Sequence, residues 1–142
     1  MNENDKKAII EVLHELEQGY KLGSVDRLTS AFHKEDVSLI GTAVDEVRLG
    51  IEEVRYQFQR DIEQTSFRDL SFSEFQFFFH RNISYSFSDV NFIGETVEGE
   101  NLVMKGRYSA MLEKNDVRWL FRHVHCSVPD YGASEGNSFA EN

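Results

Sequence analysis

The chain holds a single cysteine, Cys126, so no disulfide can close within it, and that usage fits a reducing compartment. It holds a single proline, Pro129, which leaves everything before it free to run in long regular elements. Basic residues are scarce: 15 Lys and Arg stand against 25 Asp and Glu, for a formal net charge of −10. That sign repels phosphate backbones and anionic bilayers, so neither nucleic acid nor membrane is expected as a partner. No apolar run reaches the ~20 residues that span a bilayer, and "MNENDKKAII" has no apolar signal core. A cytoplasmic protein is expected. There is no internal repeat, no HExxH, no cysteine cluster, and Gly94, Gly99 and Gly106 are too scattered for a phosphate loop. No cofactor or metal is expected.

Aromatic residues, by contrast, are abundant: 12 Phe, with 13% aromatic and 40% hydrophobic residues overall. A single domain of 142 residues with that content can build a core. Ile9, Val12, Leu13, Leu16 and Tyr20 recur on one helical face, and Gly23 ends that helix. Ser24 caps a second short helix carrying Val25, Leu28 and Phe32. "DVSLIGT" (Asp36 to Thr42) reads as a strand. "GIEEVRYQFQRDIEQ" reads as a third helix with the stripe Ile51, Val54, Phe58 and Ile62.

From Phe67 onward the period is two. Leu70 and Phe72 share one parity, whereas Phe75, Phe77 and Phe79 share the other, which predicts a bulge near Ser73–Glu74. Ile83, Tyr85 and Phe87 followed by Val90 and Phe92 predict a second bulge, or else both of these strands are buried on both faces. A two-residue turn at Asn115–Asp116 would join the last two strands. It pairs Lys114 with Val117, Leu112 with Trp119, Ala110 with Phe121, Tyr108 with His123, Gly106 with His125 and Met104 with Ser127. The opposite face then carries a Glu113–Arg118 ion pair and an apolar stripe including Met111, Leu120 and Val124. That stripe predicts a homodimer contact. Pro129 stops the sheet, so the expected domain is 1–129, followed by a mobile polar tail, 130–142, from which Tyr131 or Phe139 can fold back over an opening.

Three stretches carry a family resemblance: "DVSLIG" after a helix ending "AFHKE", "GIEEVRYQF" opening the third helix, and "RWLFRHVHCSVP" closing the sheet. Over about residues 5–129 the chain resembles the SnoaL-like branch of the nuclear transport factor 2-like superfamily. Its ending is also similar to the association domain of calcium/calmodulin-dependent protein kinase II. The resemblance implies an α+β cone, in which N-terminal helices close a strongly curved, mainly antiparallel sheet around a cavity. It also implies dimers through the outer sheet face. Leu120 and Arg122 depart from the usual polar–apolar alternation of the ending. The superfamily includes ketosteroid isomerase-like enzymes, cyclases, dehydratases and non-catalytic association domains, so the fold does not fix the function.

Within that cone, Tyr108, Trp119, Phe121, His123, His125 and Ser127 are the expected ligand contacts, with Phe87 a further wall. The two histidines lie two apart on a strand, about 6.5–7 Å from each other. A metal clamp would need further donors, for which Asp89 and Asn91 are candidates. An acid–base reading makes Asp89 a base with its pKa raised by burial, and Tyr108 and His123 hydrogen-bond donors, as isomerisation, cyclisation or dehydration requires. A plain binding reading has the same residues orient a small, partly apolar organic molecule. A dimerisation module, and histidines serving structure alone, complete the alternatives. Cys126 has the opposite parity from the histidines and is expected as a buried structural thiol.

Overall fold

The 3.6-residue period at the start of the chain produces α1 (Glu3–Leu22) in the computed structural model, which describes residues 3–116 and 118–140. Ile9, Leu13 and Leu16 form its buried stripe. Gly23 adopts φ 66° just past the helix, and the Ser24 amide returns to the Gly19 carbonyl at 2.9 Å, a glycine-closed helix end. Ser24 then caps α2 (Val25–Ser30), its hydroxyl accepting from the Arg27 amide at 3.2 Å. Of the expected strand Asp36–Thr42 only β1 (Ser38–Ile40) is extended. The chain turns back into β2 (Val47–Leu49), which the sequence pattern did not reveal, and enters α3 (Ile51–Glu63). Four long strands follow: β3 (Thr65–His80), β4 (Ile83–Thr96), β5 (Asn101–Asn115) and β6 (Arg118–Ser127).

The six strands form one sheet in the order β2-β1-β6-β5-β4-β3, antiparallel except where β1 runs parallel to β6. The helices cover one face, and the core lies between them and the sheet around Leu13, Leu28, Val54, Leu112 and Phe121. This is the α+β cone that the sequence predicts. No helix among the described residues is long and apolar enough to cross a membrane.

The bulge expected in β3 is present. Ser73 pairs with Asp89 and Gln76 with Phe87, so Glu74 and Phe75 together oppose Ser88. Glu74 absorbs the extra residue with φ 59°. Leu70 and Phe72 are thereby kept on the same face as Phe75, Phe77 and Phe79. No second bulge exists in β4. Its pairing runs unbroken from Ile83 to Glu95, with Ser84, Ser86, Ser88 and Val90 inward and Tyr85 and Phe87 outward. Nor is the strand buried on both faces, the other alternative: Tyr85 is 55% and Phe87 47% exposed, and the inward row is largely serine.

The β5–β6 hairpin corrects the expected register. Asn115 pairs with Arg118; Val117, expected opposite Lys114, lies outside the described residues. Lys114 instead faces Trp119, Glu113 faces Leu120 and Leu112 faces Phe121. That slide of two keeps every side chain on its expected face. A bulge at Arg122 then moves the pairing by one, to Met111 with His123, Ala110 with Val124, Ser109 with His125 and Tyr108 with Cys126. One inserted residue exchanges the two faces. His123, His125 and Ser127 leave the inner face, while Val124 and Cys126 enter it. Arg122 bonds Glu113 at 3.2 Å, in place of the expected Glu113–Arg118 pair, and also donates to the Glu35 carbonyl.

Candidate functional site

The inner face of the sheet, α1, α3 and Phe32 just past α2 border a cavity of about 360 Å³. Its walls are mainly apolar, from Leu16 and Phe58 on the helices to Phe72, Val90, Phe92, Met104 and Val124 on the strands. Its polar groups gather in two places. One lies towards the β1–β2 edge, where α1, α3 and the 41–46 loop meet. The other is Tyr108 on the inward face of β5, beside Cys126 of β6.

At the first, Tyr20 in the last turn of α1 meets Asp61 in the last turn of α3. The Tyr20 hydroxyl donates to Asp61 Oδ2 at 2.8 Å, and Gln57 Nε2 donates to Oδ1 at 2.8 Å. Gln57 is itself held by Arg48, whose Nε donates to Oε1 at 2.9 Å. Arg68 fixes both helix ends. It donates to the Tyr20 carbonyl at 2.7 Å and to the Ile62 carbonyl at 3.3 Å, satisfying carbonyls that a helix terminus leaves open, and to the Thr65 carbonyl at the start of β3 at 2.8 Å. Glu46 reaches the same cavity from the loop, its Oε2 3.8 Å from Arg60 Nη2 and without a hydrogen-bond partner. Arg60 is engaged more closely by Asp45, at 2.7 Å.

Burial dominates the electrostatics of this cluster. It raises the Asp61 pKa even though Tyr20, Gln57, Arg60 and Arg48 all pull it down. Burial, then the nearby Asp61 charge, raises that of Glu46. Tyr20 is pushed well up by burial and by Asp61, so it stays a donor. Cys126 lies within the field of both carboxylates, and burial pushes its thiol up to about 12. It is not a thiolate nucleophile. The structural role expected for it fits this environment.

At the second place, Ser88, Tyr108 and Cys126 stand side by side across three strands, with Ser86 and Ser84 continuing the row along β4. Tyr108 is 1% exposed, and its ring packs edge-on against Phe72 at 4.9 Å. The Tyr108 hydroxyl lies against that of Ser86, a contact that only partly offsets the burial that raises its pKa, and the hydroxyls of Ser84 and Ser88 are buried without hydrogen-bond partners. A buried hydroxyl left so costs about 1–3 kcal/mol.

Of the ligand contacts expected from the sequence, Tyr108 alone lines this cavity. Trp119 and Phe121 point inward but are core: Trp119 donates to Asp5 at 2.9 Å, and Phe121 lies 5.3 Å from Phe32, ring to ring. His123, His125 and Ser127 face outward. His123 Nδ1 is 2.7 Å from Ser38 Oγ, and its pKa is lowered by burial and by His125. Asp89, opposite Arg107, and Asn91 are also on the outer face, so Asp89 is not the buried base expected of it. Phe87, expected in the wall, is 47% exposed there. With Asp89, Arg107, Ser109, His125 and Ser127 it lines a shallow outer groove of about 610 Å³. No group of three or more His, Cys, Asp or Glu among the described residues is placed to hold a metal ion. Tyr131 bonds the Lys105 carbonyl at 2.9 Å; neither it nor Phe139 lines the cavity.

The sequence profile of the SnoaL-like domain matches residues 9–131. The chain belongs to the SnoaL-like family. Solved structures with the same fold include a nuclear transport factor 2-like superfamily protein from Salmonella enterica serovar Typhimurium. It is 20% identical with a TM-score of 0.82, the match covering 92% of this chain and 96% of that one. A Novosphingobium aromaticivorans protein provisionally named scytalone dehydratase is 17% identical, TM-score 0.81, covering 96% and 95%. A Xanthomonas campestris protein provisionally named calcium/calmodulin-dependent protein kinase II association domain is 16% identical, TM-score 0.76, covering 87% and 86%. At such identities the likeness establishes the nuclear transport factor 2-like fold and not an activity. No curated protein matches the chain in sequence.

In this SnoaL-like domain the residues that sequence reasoning missed are Glu46, Gln57 and Asp61. Gln57 and Asp61 are four apart and flank the stripe Val54, Phe58 and Ile62, so a polar pair bordering an apolar helix face was the available signal. Tyr20 was seen, but only as part of the α1 stripe. Glu46 sits in a loop whose fold-back was itself unread.

Proposed function

We propose that this domain binds a small, partly apolar organic molecule in the cone cavity and moves a proton on it through Asp61, in dehydratase- or isomerase-type chemistry. The observation that carries this reading is a buried carboxyl, its pKa raised, held by Tyr20 and Gln57 at the wall of an apolar cavity. A carboxylate so raised is a stronger base than one in water. Glu46 supplies the complementary group. Two carboxyls in one site with different surroundings divide into base and acid: Asp61 keeps its donors, while Glu46 has none at Oε2 and is the readier to hold a proton.

In a dehydration, Asp61 removes a proton from carbon and the C–H electron pair becomes the new C=C bond. The C–O bond on the adjacent carbon breaks as the Glu46 proton passes to the leaving hydroxyl, which departs as water. In an isomerisation the proton taken by Asp61 returns to a different carbon. The provisional dehydratase name of one structural relative agrees with the first, at the level of fold only.

The test uses a ketone probe, 2-tetralone, in deuterated buffer. Wild type should exchange its α-protons faster than buffer alone, and D61N should not. Exchange that persists in D61N would remove Asp61 from the reading. Native mass spectrometry of the purified protein would weigh any retained organic molecule and any self-association.

A second reading concerns the outer face, where Phe78 stacks on Tyr85 at 4.7 Å with Phe87 beside them, all three 41–55% exposed. Met111 adjoins Tyr85 across β5 and is 44% exposed. This continuous apolar patch supports a homodimer through the outer sheet face. Met111 and Leu120 keep the outward positions expected of them; Val124, turned inward by the Arg122 bulge, takes no part.

A further inference from the structure

The short strand β2 has three residues, and two of them, Val47 and Leu49, are exposed on the outside. Arg48 alone turns in. Its pairing with Leu39 of β1 sets it against α3, with the guanidinium 5.1 Å from the Tyr56 ring and 3.8 Å from Asp45. Arg48 Nε donates to Gln57 Oε1 at 2.9 Å, and Gln57 Nε2 donates to Asp61 Oδ1 at 2.8 Å. Gln57 is 2% exposed, so bulk water does not compete for its amide. Arg48 does not line the cavity, so a molecule bound there meets Asp61 and not Arg48.

By shape alone, a glutamine amide can turn either its oxygen or its NH2 towards Asp61. A guanidinium has donors only, so the group facing Arg48 has to be the oxygen. The NH2 is then left facing Asp61. Turned this way, the amide gives an ionised Oδ1 a hydrogen bond, whereas a proton on that oxygen would meet a second donor. An amide free to turn over would offer its oxygen to that proton instead.

We infer that Arg48 is a positioning residue for Asp61: by fixing which face of the Gln57 amide the carboxyl meets, it holds Asp61 in the proton-accepting form. The inference rests on the reading of Asp61 as a base and adds to it a residue outside the cavity. Burial raises the Asp61 pKa, and the Gln57 bond pulls against that rise. The other titratable or charged groups about Asp61 are Tyr20 of α1, Glu46 of the 41–46 loop, Arg60 of α3 and Cys126 of β6. Arg68 of β3 reaches the Asp61 carbonyl through the Thr65 hydroxyl. Among the described residues, Arg48 is the one outside α3 that hydrogen-bonds the Gln57 side chain.

The test follows the Asp61 carboxyl by NMR through a pH titration of protein carrying isotope-labelled aspartate, with D61N to assign the signal. It needs no ligand. R48M should raise the midpoint by about one pH unit, the worth of one hydrogen bond to a charged group. R48K, still a donor with no acceptor, should keep it near the wild-type value. R48Q fills similar space with a group that can also accept, and gives the same reading as R48M should that variant not fold. In a Q57L background, R48M should move the midpoint less than about half as far, because there is no amide left to orient. A charge effect of Arg48 alone would give equal shifts in the two backgrounds. A midpoint that R48M leaves in place, that R48K raises as far as R48M does, or that R48M raises equally without Gln57 would overturn the proposal. The exchange of 2-tetralone α-protons supplies the second readout: its rise with pH should move upward in R48M by the same amount as the midpoint. A shifted midpoint together with exchange that D61N does not diminish would remove Asp61 as the base and leave the hold of Arg48 on it standing.

Discussion

The Tyr20 hydroxyl and Asp61 Oδ2 meet at 2.8 Å, joining the last turn of α1 to the last turn of α3 across 41 residues of sequence. Burial raises the Asp61 pKa in spite of this bond. A carboxyl whose folded pKa lies above its unfolded value of about 3.9 holds its proton more tightly when folded. Its stabilising share is therefore complete below the unfolded value and is lost as pH rises through the folded one. D61N, which cannot ionise, should gain stability over wild type at pH 7 and lose that advantage near pH 4. Paired thermal melts at the two pH values check this. An equal difference at both would show that Asp61 is not held in a raised state.

The opposite sign holds at the other end of α1. Asp5 Oδ1 accepts from Trp119 Nε1 at 2.9 Å and from Lys114 Nζ at 3.1 Å, and the Trp119 bond leads in lowering its pKa. Stability from a depressed carboxyl is present above the unfolded value and is lost as pH falls through the folded one. D5A should cost about 1–3 kcal/mol at pH 7, because it leaves a buried indole N–H unsatisfied, and less below pH 3. Denaturant titrations at pH 7 and pH 3 would show it; a cost that does not depend on pH would not fit.

The Arg122 bulge makes neighbours unequal. Val124 is 5% exposed in the cavity wall, while His125 is exposed in the outer groove. V124D buries an unpaired charge and should cost about 3 kcal/mol or more. H125A should leave both the melting temperature and the affinity for 2-tetralone unchanged. If H125A weakened cavity binding while V124D were mild, the strand would carry its histidines inward and the register would be wrong.

The helices, their caps and the β3 bulge were legible because each leaves a local trace: a stripe, a Gly23 or Ser24 at its end, a switch of parity between Phe72 and Phe75. The bulge at Arg122 leaves none. "RWLFRHVHCS" alternates about equally well in either register once Arg122 is allowed to stand on the outer side with Leu120. What decides is tertiary. Arg122 bonds the Glu35 carbonyl and Glu113, and β1 docks in parallel on β6 with Ser38 beside His123. The site followed the error. With the histidines facing inward, Asp89 falls beside them as the candidate base, whereas Asp61 shows in the sequence only as a polar residue beside the apolar stripe of α3. A carboxyl becomes a buried base through the loop, helix and sheet that close over it, and those contacts span the chain.

Phe78, Tyr85, Phe87 and Met111 form one outward patch that crosses β3, β4 and β5, and the histidine row of β6 borders it. An apolar surface of this kind, on a chain of net charge −10, gains by pairing with its own copy because apolar area is removed from water without bringing like charges into contact. Y85E places a carboxylate at the centre of the patch. Tyr85 is 55% exposed, so the change should leave the monomer's fold and cavity intact. Light scattering after size exclusion should then read a dimer for wild type and a monomer for Y85E, with circular dichroism unchanged. H123A, at the border, should weaken the dimer much less. A wild-type monomer, or a dimer indifferent to Y85E, would assign the aromatic stack a purpose other than self-association.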